Sequence, residues 1–344
     1  MTQNTDNNRQ IVLAERPVGA PDANTLRLEA SDMPVAGKGE MLLRTEYLSL
    51  DPYMRGRMND SKSYAAAVAI GAPMVGGTVA RVVTSDVDGF AVGDWVLSFS
   101  GWQDYAVSDG GGVTNMGADP SHPSWALGIM GMPGLTAYCG LLEIGAPKAG
   151  ETVVTAAATG PVGATVGQIA KIKGCRAVGV AGGAEKCAYA VNELGFDACI
   201  DRNAADFEAQ LAAACPDGID VYFENVGGAV LAAVLPLLNP FARVPLCGLV
   251  SQYNATGLPE GPDRSGAMLG AFLVKKIKVE GFIVWDSFPN HYPQFAKEMT
   301  GWIETGKIKY REQVVDGLEN APEAFNGLLE GRNFGKLVVK VGAS

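Results

Sequence analysis

Between residues 151 and 181 the chain passes through four hydropathy patterns in turn. Residues 152–156, TVVTA, form a short apolar run rich in β-branched side chains, as a strand covered on both faces requires. A glycine-rich turn follows. Val162, Val166, Ile169, Ala170 and Ile172 then recur at about helical spacing, and Gly174 is placed to end that helix. Residues 177–181 make a second apolar strand. The spacing predicts a βαβ unit. The alternation continues with helices at 184–195, 204–214 and 228–238 and strands at 198–200, 219–225, 243–248 and 277–284. That series predicts a doubly wound parallel sheet of about six strands. An amphipathic helix is expected at 290–305 and a last strand at 336–341.

Before residue 132 the pattern is different. Segments 40–50, 74–83 and 94–100 alternate apolar and polar positions between Gly/Pro turns, as in a small barrel or partly open sheet. Two domains are therefore expected. One is mostly β, formed by 1–131 with 309–344, the last strand returning to it. The other is α/β, formed by 132–308.

Composition narrows the class. With 344 residues, 47% hydrophobic and 19% charged, the chain has material for two cores. A net charge of −10 disfavours nucleic acid and anionic membranes as partners. No apolar run approaches the roughly 18 residues of a spanning helix. The N-terminal MTQNTDNNRQ lacks a signal-peptide apolar region, so a cytoplasmic protein is expected. The six cysteines form no CxxC pair, and only His122 and His291 are present. No zinc set is expected from such donors.

The glycine turn carries the chemistry. Ala158, Gly160 and Gly163 occupy the three small-residue positions of a dinucleotide-binding turn. The first permits a tight turn, the second lets backbone approach a pyrophosphate, and the third lets helix and strand pack closely. The helix N-terminus adds N–H groups and a positive dipole end. NAD-binding folds usually carry Asp or Glu at the end of the second strand, for the ribose 2′-OH. Here that strand runs into Gly182 and Gly183. Lys186 follows, and Arg202 comes after the third strand, so a 2′-phosphate, and hence NADP(H), is expected. Asn225 in ENVGG and Cys247 in CGLVSQYN lie at the ends of later strands, where such sheets hold ligands, and Tyr253 is expected near the nicotinamide ribose. In the first domain Tyr53 and Tyr64 are candidates to line a substrate cleft. Each of these residues also has a structural reading: Lys186 as a surface lysine, Asn225 as a turn former, the tyrosines as packed side chains.

Hydride transfer requires something to stabilise charge on the substrate. With no zinc set and no Tyr-xxx-Lys pair, neutral donors remain. A tyrosine hydroxyl aimed at a developing oxyanion contributes on the order of 3 kcal/mol. That suffices for a C=C bond conjugated to a carbonyl and is a weak substitute for zinc in alcohol oxidation.

The chain resembles the zinc-independent medium-chain dehydrogenase/reductases of the alkenal and prostaglandin reductase type, and within them the bacterial enone reductases. The carrying motifs are YLSLDPYMRGRM (47–58), MVGGTVARVV (74–83), GDWVLSFSGWQDY (93–105), GMPGLTAY (131–138), AAATGPVGATVGQIAKIKGC (156–175), VAGGAEKC (180–187), ENVGG (224–228), CGLVSQYN (247–254) and GRNFGKLVVKV (331–341). They span nearly the whole chain in family order. In zinc-dependent relatives a Gly-His-Glu motif stands where this chain has Gly76-Gly77.

The resemblance implies a GroES-like catalytic domain, a Rossmann domain, a cleft between them, and a homodimer. It implies NADP(H) at Gly160, Val162 and Gly163, with Lys186 at the 2′-phosphate and Asn225, Cys247, Tyr253 and Asn333 as further contacts. Gly182 belongs to the same corner. Relatives commonly carry Tyr where this chain has Arg202, so a guanidinium–phosphate pair is expected there. Tyr253 matches the tyrosine near the substrate carbonyl, and Tyr53 and Tyr64 match the pocket. The expected activity is NADPH-dependent reduction of α,β-unsaturated ketones and aldehydes, with hydride added at the β-carbon and a proton at the α-carbon. Quinone reduction and NADP binding without turnover are the competing readings.

Overall fold

The computed structural model describes residues 7–258 and 261–342; the polar segment 1–6 lies outside them. Two compact units emerge. The first runs to Gly128 and takes up Glu312–Asn333 and the chain from Leu337; the second is Ile129–Arg311 with Phe334–Lys336.

The first unit begins with an antiparallel pair, β1 (Asn7–Leu13) and β2 (Leu26–Asp32). Then come β3 (Met41–Ser49), the single-turn helix α1 (Tyr53–Arg57), β4 (Thr78–Ser85), β5 (Trp95–Ser98), β6 (Tyr105–Ser108) and β7 (Thr114–Gly117). Strand β3 is the hub: it pairs antiparallel with both β4 and β6. Its core gathers Ile11, Leu13, Leu48, Met54, Met74, Trp102 and Phe325, with the Trp102 and Phe325 rings edge-on at 5.6 Å. Gly76 sits within that packing. A Cβ there would lie 3.0 Å from Leu48 and from Met54 and 3.2 Å from Trp102, so a side chain at Gly76 would have to push these neighbours back by a few tenths of an ångström.

The second unit opens with α2 (Met132–Cys139), then alternates β8 (Thr152–Ala156), α3 (Pro161–Ile172), β9 (Arg176–Ala181), α4 (Ala184–Asn192), β10 (Ala198–Asp201), α5 (Phe207–Ala214), β11 (Ile219–Phe223), α6 (Gly228–Val234) and β12 (Leu238–Leu246). It closes with α7 (Ser265–Lys275), β13 (Lys278–Gly281), α8 (Val284–Ser287) and α9 (Tyr292–Glu304). The six strands are parallel in the order β10-β9-β8-β11-β12-β13. This is the doubly wound order, with its reversal between β8 and β11, where ligands bind at the carboxyl ends. Gly167 and Gly179 are there for packing: a Cβ on Gly167 would overlap the Phe196 ring, and one on Gly179 would lie 2.7 Å from the Cβ of Ala158.

The chain then returns to the first unit through β14 (Glu312–Asp316), α10 (Ala321–Leu329) and β15 (Lys336–Lys340); Val338–Lys340 pair antiparallel with β3.

Several details differ from the sequence reading. The strand expected over 277–284 stops at Gly281, and Val284 opens α8. Helix α6 ends at Val234, and β12 begins at Leu238 rather than near Arg243, with Phe241 at a φ of +65° and a register irregularity opposite β11. Segments 53–73 and 254–275, without assigned elements in the sequence, contain α1 and α7. The tight turn after β8 is made by Ala157, at a φ of +49°, and not by Ala158, whose N–H donates to the Val180 carbonyl at 3.0 Å. A left-handed alanine costs roughly 1 kcal/mol, a strain of the kind kept where a turn serves a site.

Candidate functional site

In the second unit the reversal point is built from three turns. The first joins β8 to α3. Gly160 is the N-cap and brings no side chain to the first helical turn, and Pro161 presets the helix. A Cβ on Gly163 would overlap the carbonyls of Ala157 and Ala156, so helix and strand are as close as only glycine permits. The backbone around Gly160 and Val162 is left as a polar cradle at a positive helix end.

The second turn joins β9 to α4. The Arg202 guanidinium lies along Gly182, its Nε 3.3 Å from where a Cβ would stand. Lys186 is half-buried in the first turn of α4. Burial lowers its pKa first, Arg202 adds to the fall, and Glu185 opposes it weakly. Two cations thus share one corner. Asp201 was not foreseen as part of it. In parallel register with Ala181, it accepts the N–H groups of Gly183 (2.9 Å) and Asn203 (3.0 Å), which hold its carboxyl below the usual range. The acid at this corner is committed to backbone and shapes the turn. A sheet register, which the sequence does not print, was the missing signal.

The third turn joins β11 to α6. The Asn225 amide donates to the Ala156 carbonyl at 3.1 Å and ties β11 to β8, while its Oδ1 is buried without a hydrogen-bond partner. Asn225 is both a turn residue and the holder of an unused acceptor. Beside it, burial pushes the Cys247 thiol up to about 12, helped by Glu224, so Cys247 stays a neutral thiol. Tyr253 caps the short turn Val250–Gln252, and its hydroxyl lies 3.1 Å from where a Cβ on Gly248 would be. A side chain at 248 would displace it.

In the first unit Tyr53 opens α1 and Tyr64 lies in the following segment. Burial drives the Tyr53 hydroxyl far above its ordinary pKa, Asp51 and Tyr64 add to the rise, and Arg57 opposes it. Tyr53 and Tyr64 are therefore near neighbours, although Tyr64 keeps 58% of its surface exposed. Both stay protonated as neutral donors. Asn333 is half-buried in the segment before β15. Among the described residues no three His, Cys, Asp or Glu side chains are grouped as a metal ion needs.

The residues present fit an NADP dinucleotide on the structure's own terms. The glycine cradle, the paired cations beside Gly182 and the orphaned Asn225 acceptor match a pyrophosphate, a 2′-phosphate and a hydrogen-bond donor respectively. Such a fold and site define the oxidoreductases of the medium-chain dehydrogenase/reductase class, and the chain belongs to that family. Residues 9–116 match the family described as "N-terminal domain of oxidoreductase", and 161–301 that described as "Zinc-binding dehydrogenase". Within it, the chain is 59% identical over 341 residues to the NADPH-dependent curcumin reductase of Escherichia coli, covering 99% of both. Rat prostaglandin reductase 1 is 41% identical over 94% of this chain and 95% of its own. The crystal structure of CurA from Vibrio vulnificus in complex with NADPH superposes with a TM-score of 0.96 at 62% identity, over 98% of this chain and all of that one. A quinone oxidoreductase from Pseudomonas syringae shares the fold, at 21% identity and a TM-score of 0.73.

Proposed function

We infer that this protein is an NADPH-dependent reductase of carbon–carbon double bonds conjugated to a ketone or aldehyde, with curcumin-like enones and alkenals as its substrate class. The observation that carries the reading is the cation pair Lys186 and Arg202 beside Gly182, where an NAD enzyme would present a free acid. The curcumin and prostaglandin reductases at 59% and 41% identity support the same chemistry.

In this reading Val162 and Gly163 offer backbone N–H groups to the pyrophosphate, Gly160, whose own N–H donates to the Ala157 carbonyl at 2.8 Å, lets the backbone approach it, and Gly182 lets Lys186 and Arg202 close on the 2′-phosphate. Asn225, Cys247 and Asn333 make further contacts along the cofactor. Bound NADPH supplies the hydride. As a C–H bond forms at the substrate β-carbon, the π pair moves to the carbonyl oxygen and leaves an enolate. The Tyr253 hydroxyl donates to that oxygen as charge develops. Tyr53, its hydroxyl kept protonated by burial, and the more exposed Tyr64 line the substrate pocket. Solvent or a tyrosine hydroxyl delivers the proton at the α-carbon. No metal is assigned a role in this reading, since Gly76 and Gly77 bring no donor side chain.

We further propose a homodimer, supported by a β13 edge that has no strand partner among the described residues and by exposed apolar side chains on α7. No helix of the described residues is long and apolar enough to cross a membrane. A cytoplasmic setting accords with NADPH as reductant and with six cysteines that are all free thiols.

The test follows NADPH absorbance with curcumin, a quinone, and a simple alcohol–NADP⁺ pair, each with and without chelator. Chelator-insensitive oxidation with curcumin alone is expected. Turnover of the quinone but not the enone would move the assignment to a quinone reductase, and tight NADPH binding with no turnover on any acceptor would make it a binding protein.

A further inference from the structure

Glu224 is a carboxyl only 1% exposed, set among Tyr222, Val226 and Val230 in the core of the second unit. Burying such a group costs several kcal/mol unless hydrogen bonds compensate. They do so on one oxygen. Glu224 Oε1 accepts the N–H of Val226 at 2.7 Å, the N–H of Gly227 at 2.8 Å and the Tyr222 hydroxyl at 3.2 Å. Oε2 is buried without a hydrogen-bond partner. The carboxyl thereby clamps a turn whose two glycines, Gly227 and Gly228, both have positive φ, +75° and +59°.

That turn is a support for a second loop. Its successive carbonyls at Glu224, Asn225 and Val226 accept the N–H groups of Cys247 (3.0 Å), Val250 (3.3 Å) and Ser251 (3.0 Å). The Ser251 hydroxyl adds a bond of 2.5 Å to Val226. Tyr253 hangs from the same loop through its N–H to the Val250 carbonyl at 3.3 Å. One buried oxygen therefore stands behind both Asn225 and Tyr253.

We propose that Glu224 is a positioning residue: its Oε1 clamp on Val226 and Gly227 sets the Asn225 acceptor and the Tyr253 loop for cofactor binding and reduction. The proposal rests on the functional reading above. It also accounts for a carboxyl kept where burial pushes its pKa up, against the N–H groups that pull it down.

The test compares Glu224→Ala, Glu224→Asp and Glu224→Gln for NADPH Kd by fluorescence, for kcat and KM with an enone, and for Tm. The shorter Asp keeps the charge but withdraws the oxygen from the turn, whereas Gln keeps an acceptor at the same reach. Ala and Asp are expected to weaken NADPH binding and lower kcat by about tenfold to a hundredfold, the scale of a small misplacement of reacting groups, with enone KM little changed. Gln is expected to recover most of both. If Ala does not fold, Asp against Gln decides. Wild-type Kd and kcat in folded Asp or Ala protein would overturn the proposal, since the clamp would then be dispensable, as would a Gln variant as impaired as Asp, since an acceptor at the right reach would then not suffice. If the unaltered protein reduces no enone, the functional reading fails by itself, and the NADPH Kd series still decides the role of Glu224.

Discussion

The Lys186–Arg202 corner puts two like charges together in the protein without its cofactor, and the fall in the Lys186 pKa records part of that repulsion. A 2′-phosphate dianion turns a repulsive pair into a charge-assisted clamp. Lys186→Ala should therefore separate two quantities that usually fall together. NADPH affinity should drop by about 2 kcal/mol, roughly thirtyfold, with NADH affinity nearly unchanged. The Tm without cofactor should hold or rise slightly, because removing one cation relieves the other. Fluorescence titration with both cofactors, beside thermal melts with and without NADPH, checks this. An equal loss for NADPH and NADH would remove Lys186 from the 2′-phosphate. At this scale the sequence showed the cations and the missing acid after β9. It did not show Asp201 or Glu224, because each acts through backbone N–H groups that only the turn geometry brings to it.

Helix α3 and strands β8 and β9 were legible because apolar spacing and glycine positions agreed there, and agreement across levels is what makes a segment readable. Helix α7 was not. Its sequence SGAMLGAFLVK carries two glycines and no polar stripe, and the folded helix buries none of its residues fully, so there was no face to detect. The start of β12 was hidden by Asn239-Pro240, which reads as a turn. Gly167 tests the packing that made α3 readable. An Ala there gains about 1 kcal/mol of helix propensity, but its Cβ overlaps the buried Phe196 ring. Forcing that ring aside costs about 1–3 kcal/mol. A net loss of stability is expected in urea unfolding, and Phe196→Leu in the same background should return part of it. A Gly167→Ala protein more stable than its parent would show that the helix can shift without cost.

The whole molecule carries a net charge of −10, so two copies repel at long range. Part of its exposed apolar surface lies on and beside α7: Leu273 and Val274 are 80% and 76% exposed, and Val279 on the adjoining strand is also exposed. Strand β13 ends the six-stranded order, so its outer edge has no strand partner among the described residues. An edge beside an apolar helix is a liability unless something covers it. A second copy related by a two-fold axis would pair the two edges antiparallel and bring the α7 faces together. Because the attraction is apolar and short-ranged while the repulsion is long-ranged and screened over about 10 Å at 0.1 M salt, association should strengthen as salt is raised. Sedimentation is expected to give twice the 35.9 kDa chain mass at micromolar concentration. Leu273→Glu, a change at an exposed helix position, should shift the protein to monomer with little change in far-UV circular dichroism. A parent protein that sediments as a monomer at every salt concentration would leave β13 an open edge and remove the dimer from the reading, whereas dissociation on adding salt would assign the contact to charge pairs such as Lys278–Glu280 exchanged between copies rather than to the apolar face.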